Sequence, residues 1–97
     1  MRLRSAEIFI MRYVYVLSSA ADGELYVGST YDIKKRLNEH NAGIVPATRG
    51  RTPLTVIYYE AFMNKYDAYF REKWWKTGWG RRYLHKTLHN TMKNLGG

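Results

Sequence analysis

Apolar and β-branched residues crowd Tyr13-Val14-Tyr15-Val16-Leu17 and again Leu25-Tyr26-Val27-Gly28, with Ala21-Asp22-Gly23 between them. Two such runs around an Asp-Gly turn signal predict an antiparallel hairpin. Asp32 then supplies an N-cap for a helix from Ile33 to about Asn41, and Gly43 supplies its stop. Ile33, Leu37 and Asn41 share one face of that helix, and Arg36 and His40 share the adjacent one. A loop follows from Gly43 to Pro53, punctuated by Pro46 and Gly50. Leu54 to Phe62 alternates and is rich in β-formers, which predicts a third strand. Asn64 caps a further helix with Asp67 at N3, running to Thr77 and stopped by Gly78. A last helix, from about Arg81, carries Leu84, Leu88, Met92 and Leu95 on one stripe. The order ββαβαα describes an α+β fold, a small three-stranded sheet flanked by helices.

Length and charge narrow the class. Ninety-seven residues, 45% of them hydrophobic, suit one domain with its own core. We place that domain at residues 12–95, with 1–11 as an extension, because Met11 offers a second start. The opening Met1-Arg2-Leu3-Arg4 and the apolar run behind it have the outline of a signal peptide. Arg12 interrupts the run, Glu7 precedes it, and cleavage near Ala21 would remove the first strand, so a cytoplasmic location is expected. The run is also shorter than the roughly 20 apolar residues of a membrane span. Absence of cysteine removes disulfides, thiolate metal sites and cysteine nucleophiles. A net charge of +8 points to a polyanionic partner. An anionic membrane is disfavoured because no helix divides sharply into basic and aromatic faces.

The eight carboxylates can be sorted by duty. Glu7 lies in the extension, Asp22 and Glu24 flank a turn, and Asp32 and Asp67 start helices. Glu39 is spaced to pair with Lys35, and Glu60 ends a strand. Glu72 stands mid-helix among Phe70, Trp74 and Trp75, where a carboxylate is either partnered or functional. Its structural partner would be Lys76, four residues on. No second carboxylate lies within a turn, which argues against a two-metal carboxylate site. His40, His85 and His89 make no convincing zinc set, and Walker, HExxH and GxGxxG patterns are absent.

Tyr13-Val14-Tyr15, then ten residues, then Tyr26-Val27-Gly28 resembles the paired motif of the GIY-YIG nuclease family. Ser29, Arg36, His40 and Asn41 resemble that family's first helix region, and Asp67-Ala68-Tyr69-Phe70-Arg71-Glu72 resembles the helix with its metal-binding glutamate. The likeness covers about residues 12–95 and is nearest to small standalone bacterial members. Tyr13 and Val14 replace the name-giving Gly and Ile.

The resemblance implies a Mg²⁺-dependent endonuclease, with Mn²⁺ an alternative ion, acting on DNA in repair or recombination. Its site would comprise Tyr15, Tyr26, Arg36, His40 and Glu72, with Glu72 on the metal and Arg36 on the phosphoryl oxygens. Whether Tyr15, Tyr26 or His40 takes the proton stays open: a free tyrosine titrates near 10, His40 nearer neutrality. Candidate backbone contacts are Ser29, Lys34, Lys35, Arg49, Arg51, Arg81 and Arg82, with Lys86 beside them. Trp74, Trp75 and Trp79 suit packing better than base stacking for at least two of the three. The competing class is a nucleic-acid-binding module that keeps the fold without cutting. DNA or RNA, strand structure and oligomeric state are not specified by these residues.

Overall fold

The computed structural model describes residues 10–95, so most of the expected 1–11 extension lies outside the described residues. Strands β1 (Arg12–Ser19) and β2 (Leu25–Thr30) form the expected hairpin, and β3 (Leu54–Phe62) pairs with the other edge of β1. The sheet is antiparallel, in the order β2-β1-β3. Gly23 closes the hairpin at φ 73°, a value that favours glycine. The pairing of β1 with β3 slips between Val16 and Leu17, which face Tyr58 and Val56.

Period-2 alternation gives the sheet two working faces. Val14, Val16, Leu25 and Val27 point to one side, where they pack with Ala68, Trp75, Leu84 and Leu88. Those partners come from α2 (Lys65–Trp75), α3 (Gly78–Thr87) and the junction before α4 (His89–Leu95). Tyr15 and Leu17 point to the other side, onto Leu54 and onto Ile33 and Leu37 of α1 (Ile33–Asn41). The three-stranded sheet thus lies between α1 and the C-terminal helices. Among the described residues no helix is long and apolar enough to cross a membrane.

Three details correct the sequence reading. The last helix is two helices, broken at Leu88 (φ −103°, ψ 23°). Gly78 begins α3 instead of merely stopping α2, because Thr77 accepts a hydrogen bond from Gly80 N–H and caps the new helix. The start near Arg81 is therefore three residues late. Gly80 has a packing reason as well: a Cβ there would lie 2.5 Å from Trp75 Cα, so only glycine lets α3 approach the end of α2 this closely. Finally, Glu39 pairs with Arg36 at 3.2 Å instead of with Lys35.

Candidate active site

Register places the tyrosines. Tyr15 sits opposite Gly28 and Leu17 opposite Tyr26, so both tyrosines stand on the α1 side of the sheet, diagonal to each other. Their ring centroids are 6.5 Å apart. Gly28 is needed for this arrangement, since a Cβ on it would lie 2.5 Å from Tyr15 Cζ and 3.0 Å from Tyr26 Cε2. The Tyr15 ring occupies the space a side chain at position 28 would fill.

Asp32 caps α1 by accepting from Lys35 N–H, and one turn later the helix presents Arg36 and His40 toward the tyrosines. His40 is fully buried, with its ring 5.1 Å from that of Tyr26 and 5.8 Å from that of Tyr15. Its Nε2 lies 2.9 Å from the Tyr15 hydroxyl oxygen, and its Nδ1 lies 2.7 Å from Thr48 Oγ1. Burial, reinforced by the Arg36 charge, pushes the imidazole below its ordinary pKa, so His40 is neutral near pH 7.

Tyr15 is 2% exposed, and burial pushes its phenol up to about 12. A hydrogen-bonding interaction with Arg36 pulls the other way, while the charges of Tyr26 and Glu72 push it further up. The charges of Arg36 and Glu72 thus both act on the Tyr15 phenol. Glu72 comes from α2, on the opposite layer, and its side chain is 23% exposed. Its Oε2 accepts from Lys76 Nζ at 2.9 Å. The structure packs Tyr15, Tyr26 and His40 together, with Arg36 one turn before His40 on α1, while Glu72 has the helical partner its spacing suggested.

The candidate backbone contacts divide. Lys34 and Lys35 are exposed on α1 beside Arg36. Arg49 is exposed, with its Nε donating to the Gly43 carbonyl. Arg51 is engaged elsewhere: its Nε donates to Asp22 Oδ2 at 2.7 Å, pinning the long loop to the hairpin turn. That bond holds the Asp22 carboxyl well below its usual range, at about 2. Ser29 points to the other face of β2 from the tyrosines and accepts from Arg12 Nε at 2.7 Å. Arg81 and Arg82 lie on α3, exposed but on the layer away from α1. Of the tryptophans only Trp75 is a core residue. Trp74 packs edge-on against Tyr83, and Trp79 is 72% exposed under the Arg82 guanidinium.

Three contributors escaped the sequence reading. Gly28 was visible only as part of a motif, not as the residue that makes room for Tyr15. Thr48 had no signal, because its contact with His40 spans a loop without periodicity. Arg12 stacks on Tyr31 and joins Ser29, Lys35 and Arg36 around a cleft of about 300 Å³.

The description "GIY-YIG catalytic domain" fits residues 11–84. A UPF0213 protein of Streptococcus agalactiae is 47% identical over 62 residues, 63% of this chain and 69% of its own length. One of Halobacterium salinarum is 46% identical over 63 residues, 64% of this chain and 80% of its own. One of Bacillus pumilus is 45% identical over 71 residues, 72% of this chain and 70% of its own. No solved structure matches the chain with significance. With three quarters of its residues matched and its hairpin tyrosines, helical arginine and glutamate in the expected order, the chain belongs to the GIY-YIG nuclease family.

Proposed function

We propose that this protein is a Mg²⁺-dependent endonuclease that hydrolyses DNA phosphodiester bonds at one metal, held by Glu72. The observation that carries this reading is the Tyr15 hydroxyl, buried 2.9 Å from the Nε2 of neutral His40, with the Arg36 and Glu72 charges acting on it. Ordinary strand packing gives no reason to bury a phenol between an imidazole and a guanidinium.

The donor set at Glu72 fits such an ion. No group of three or more His, Cys, Asp or Glu residues gathers among the described residues, and a lone carboxylate suits Mg²⁺, which keeps most of its waters. The Lys76 ammonium on Glu72 already occupies a cation's position there. When bound, Mg²⁺ would supply positive charge to the scissile phosphate and to the departing 3′ oxygen. Arg36, 38% exposed, offers a forked donor to the non-bridging oxygens, where negative charge grows as water attacks phosphorus. Its Nη1 also donates to Glu39 Oε1 at 3.2 Å. Tyr15 receives the water's proton once it has lost its own to solvent, and Arg36 helps by favouring the phenolate. Tyr26, beside both rings, orients the water or phosphate. Lys34, Lys35, Arg49 and the cleft lined by Arg12 take flanking phosphates.

Single-stranded, duplex and branched DNA incubated with Mg²⁺ should be cut in at least one case, and none should be cut with a chelator. Tyr15→Phe should lower the rate about 10²-fold or more, the lower end of what proton transfer supplies. A pure protein that binds all three and cuts none sinks the proposal.

The Glu72–Lys76 ion pair favours the second reading, a non-catalytic nucleic-acid-binding module, since it gives Glu72 a structural duty. Lys76 is half exposed, and such i,i+4 pairs contribute only about 0.3–0.5 kcal/mol. If Lys76 merely competes with the metal, Lys76→Met should lower the Mg²⁺ concentration for half-maximal cleavage about twofold. An unchanged or higher requirement in a Mg²⁺ titration contradicts that competition.

A further inference from the structure

We propose that Thr48 is a positioning residue: its hydroxyl donates to His40 Nδ1 and so fixes the imidazole in the form that donates from Nε2 to the Tyr15 oxygen. The heavy-atom contacts, 2.7 Å and 2.9 Å, allow two proton arrangements along the Thr48–His40–Tyr15 chain. In one, Tyr15 donates to Nε2, Nδ1–H donates to Thr48, and the Thr48 hydroxyl proton needs another acceptor. Thr48 is fully buried, and among the described residues its Oγ1 has no hydrogen-bond partner except His40. Leaving such a donor unmatched costs about 1–3 kcal/mol.

In the other arrangement every bond runs the opposite way. Thr48 donates to Nδ1, Nε2–H donates to Tyr15, and the proton left over belongs to the Tyr15 hydroxyl. That proton is left on a ring that is 2% exposed, whereas the first arrangement leaves it on Thr48, which is fully buried. The second arrangement puts the leftover proton on the one member of the three that has any exposure and is the one the packing selects.

The surroundings hold this geometry. Thr48 sits in a turn where its N–H and that of Arg49 both donate to the Val45 carbonyl. One end of the loop is fastened by Asn41, whose side chain donates to the Leu54 carbonyl at 3.0 Å and accepts from Leu54 N–H at 2.7 Å. At the other end Ser19 Oγ donates to the Arg51 carbonyl at 2.6 Å. The loop is built to present one hydroxyl to one ring nitrogen. His40 then serves Tyr15 as a hydrogen-bond donor that steadies the phenolate and does not take the proton itself. The consequence for cleavage rests on the nuclease reading above; the proton arrangement does not.

The two are tested separately. In ¹⁵N-labelled full-length protein near neutral pH, long-range ¹H–¹⁵N spectra report which imidazole nitrogen carries hydrogen, with His40 identified by its loss in His40→Gln. We expect a protonated Nε2 and a bare Nδ1 in the parent and in Thr48→Ser. In the near-isosteric Thr48→Val this bias should fall, kcat should drop about 10-fold or more, and KM for DNA should stay within about twofold, as expected when a supporting partner is lost. Thr48→Ser should restore kcat to within about threefold. A protonated Nδ1 in the parent overturns the proposal without any variant. So does a Thr48→Val protein whose kcat matches the parent's. A parent that cuts no DNA defeats the nuclease reading, and the spectra then decide the proton arrangement alone.

Discussion

Glu72→Gln should abolish cleavage while leaving DNA binding intact. The amide keeps the size of the side chain and its place on α2 but cannot carry the negative charge that a divalent ion requires. We expect the rate to fall at least about 10²–10³-fold, the scale on which one preorganised charged group acts at a developing phosphoryl charge. Binding measured without Mg²⁺ should hold or tighten slightly, because removing a carboxylate from a chain of net charge +8 favours a polyanion when no ion is bound there. Stability should barely change. The Glu72–Lys76 pair that is lost is a partly exposed i,i+4 contact worth about 0.3–0.5 kcal/mol, a shift of roughly 1–4 °C in Tm for a domain this small. The measurement is initial cleavage rate in saturating Mg²⁺ together with binding and melting of the same preparation. A variant that cuts at the parent rate removes Glu72 from the site, and one that unfolds is exposed by its melting curve.

Glu72 is one of eight carboxylates, and most of the others have duties set by their near neighbours. Local duties were legible wherever one residue and its near neighbours decided the outcome. Asp32 caps α1, Asn64 caps α2, and β3 spans Leu54–Phe62 as the alternation indicated. Glu39 was the harder case, because it has Lys35 four residues before it and Arg36 three before. Both spacings are good on a helix, and the forked Arg36 won. The break at Leu88 was hidden for a similar reason. Leu84, Leu88, Met92 and Leu95 keep helical spacing straight through it, and no glycine or proline marks the site. Leu88, where the stripe turns, is buried in the core cluster with Ala68, Trp75 and Leu84.

The candidate site followed the same division. Tyr15, Tyr26, Arg36, His40 and Glu72 are singled out because their spacing resembles a known pattern, and strand register and the phase of α1 bring the first four to one side of the sheet. Spacing could not say that Arg51 is tied to Asp22, that Ser29 faces away, or that Thr48 reaches His40. Each of those depends on how an 11-residue loop folds back onto the hairpin, from Gly43 to Pro53, and loops carry no period to read. Tyr15 illustrates the limit in another way. Its identity was readable, but its pKa was not, because burial against His40 sets it more than any neighbour in sequence does.

Gly28→Ala should be as damaging to activity as the loss of a catalytic group, although it adds only one uncharged methyl. Gly28 does not adopt a positive φ, so alanine meets no backbone penalty and would ordinarily suit a strand better by about 0.5–1 kcal/mol. The obstacle is Tyr15. The new Cβ would lie 2.5 Å from Tyr15 Cζ and closer still to its hydroxyl oxygen, so the ring must move by roughly 1 Å to reach ordinary contact. That displacement separates the hydroxyl from His40 Nε2 and from Arg36, and a misplacement of about 1 Å at a reacting group lowers rates about 10²-fold. Crowding should destabilise the fold by about 1–3 kcal/mol, so rates are compared well below the midpoint of the variant's urea curve. The diagnostic is a double-variant cycle with Tyr15→Phe. If Gly28 matters because it seats the phenol, adding Gly28→Ala to Tyr15→Phe should cost cleavage no more than about threefold further, since the hydroxyl it displaces is already gone. If Gly28→Ala alone cuts within about threefold of the parent, the Tyr15 hydroxyl does not need the position it occupies, and its role as base fails with it.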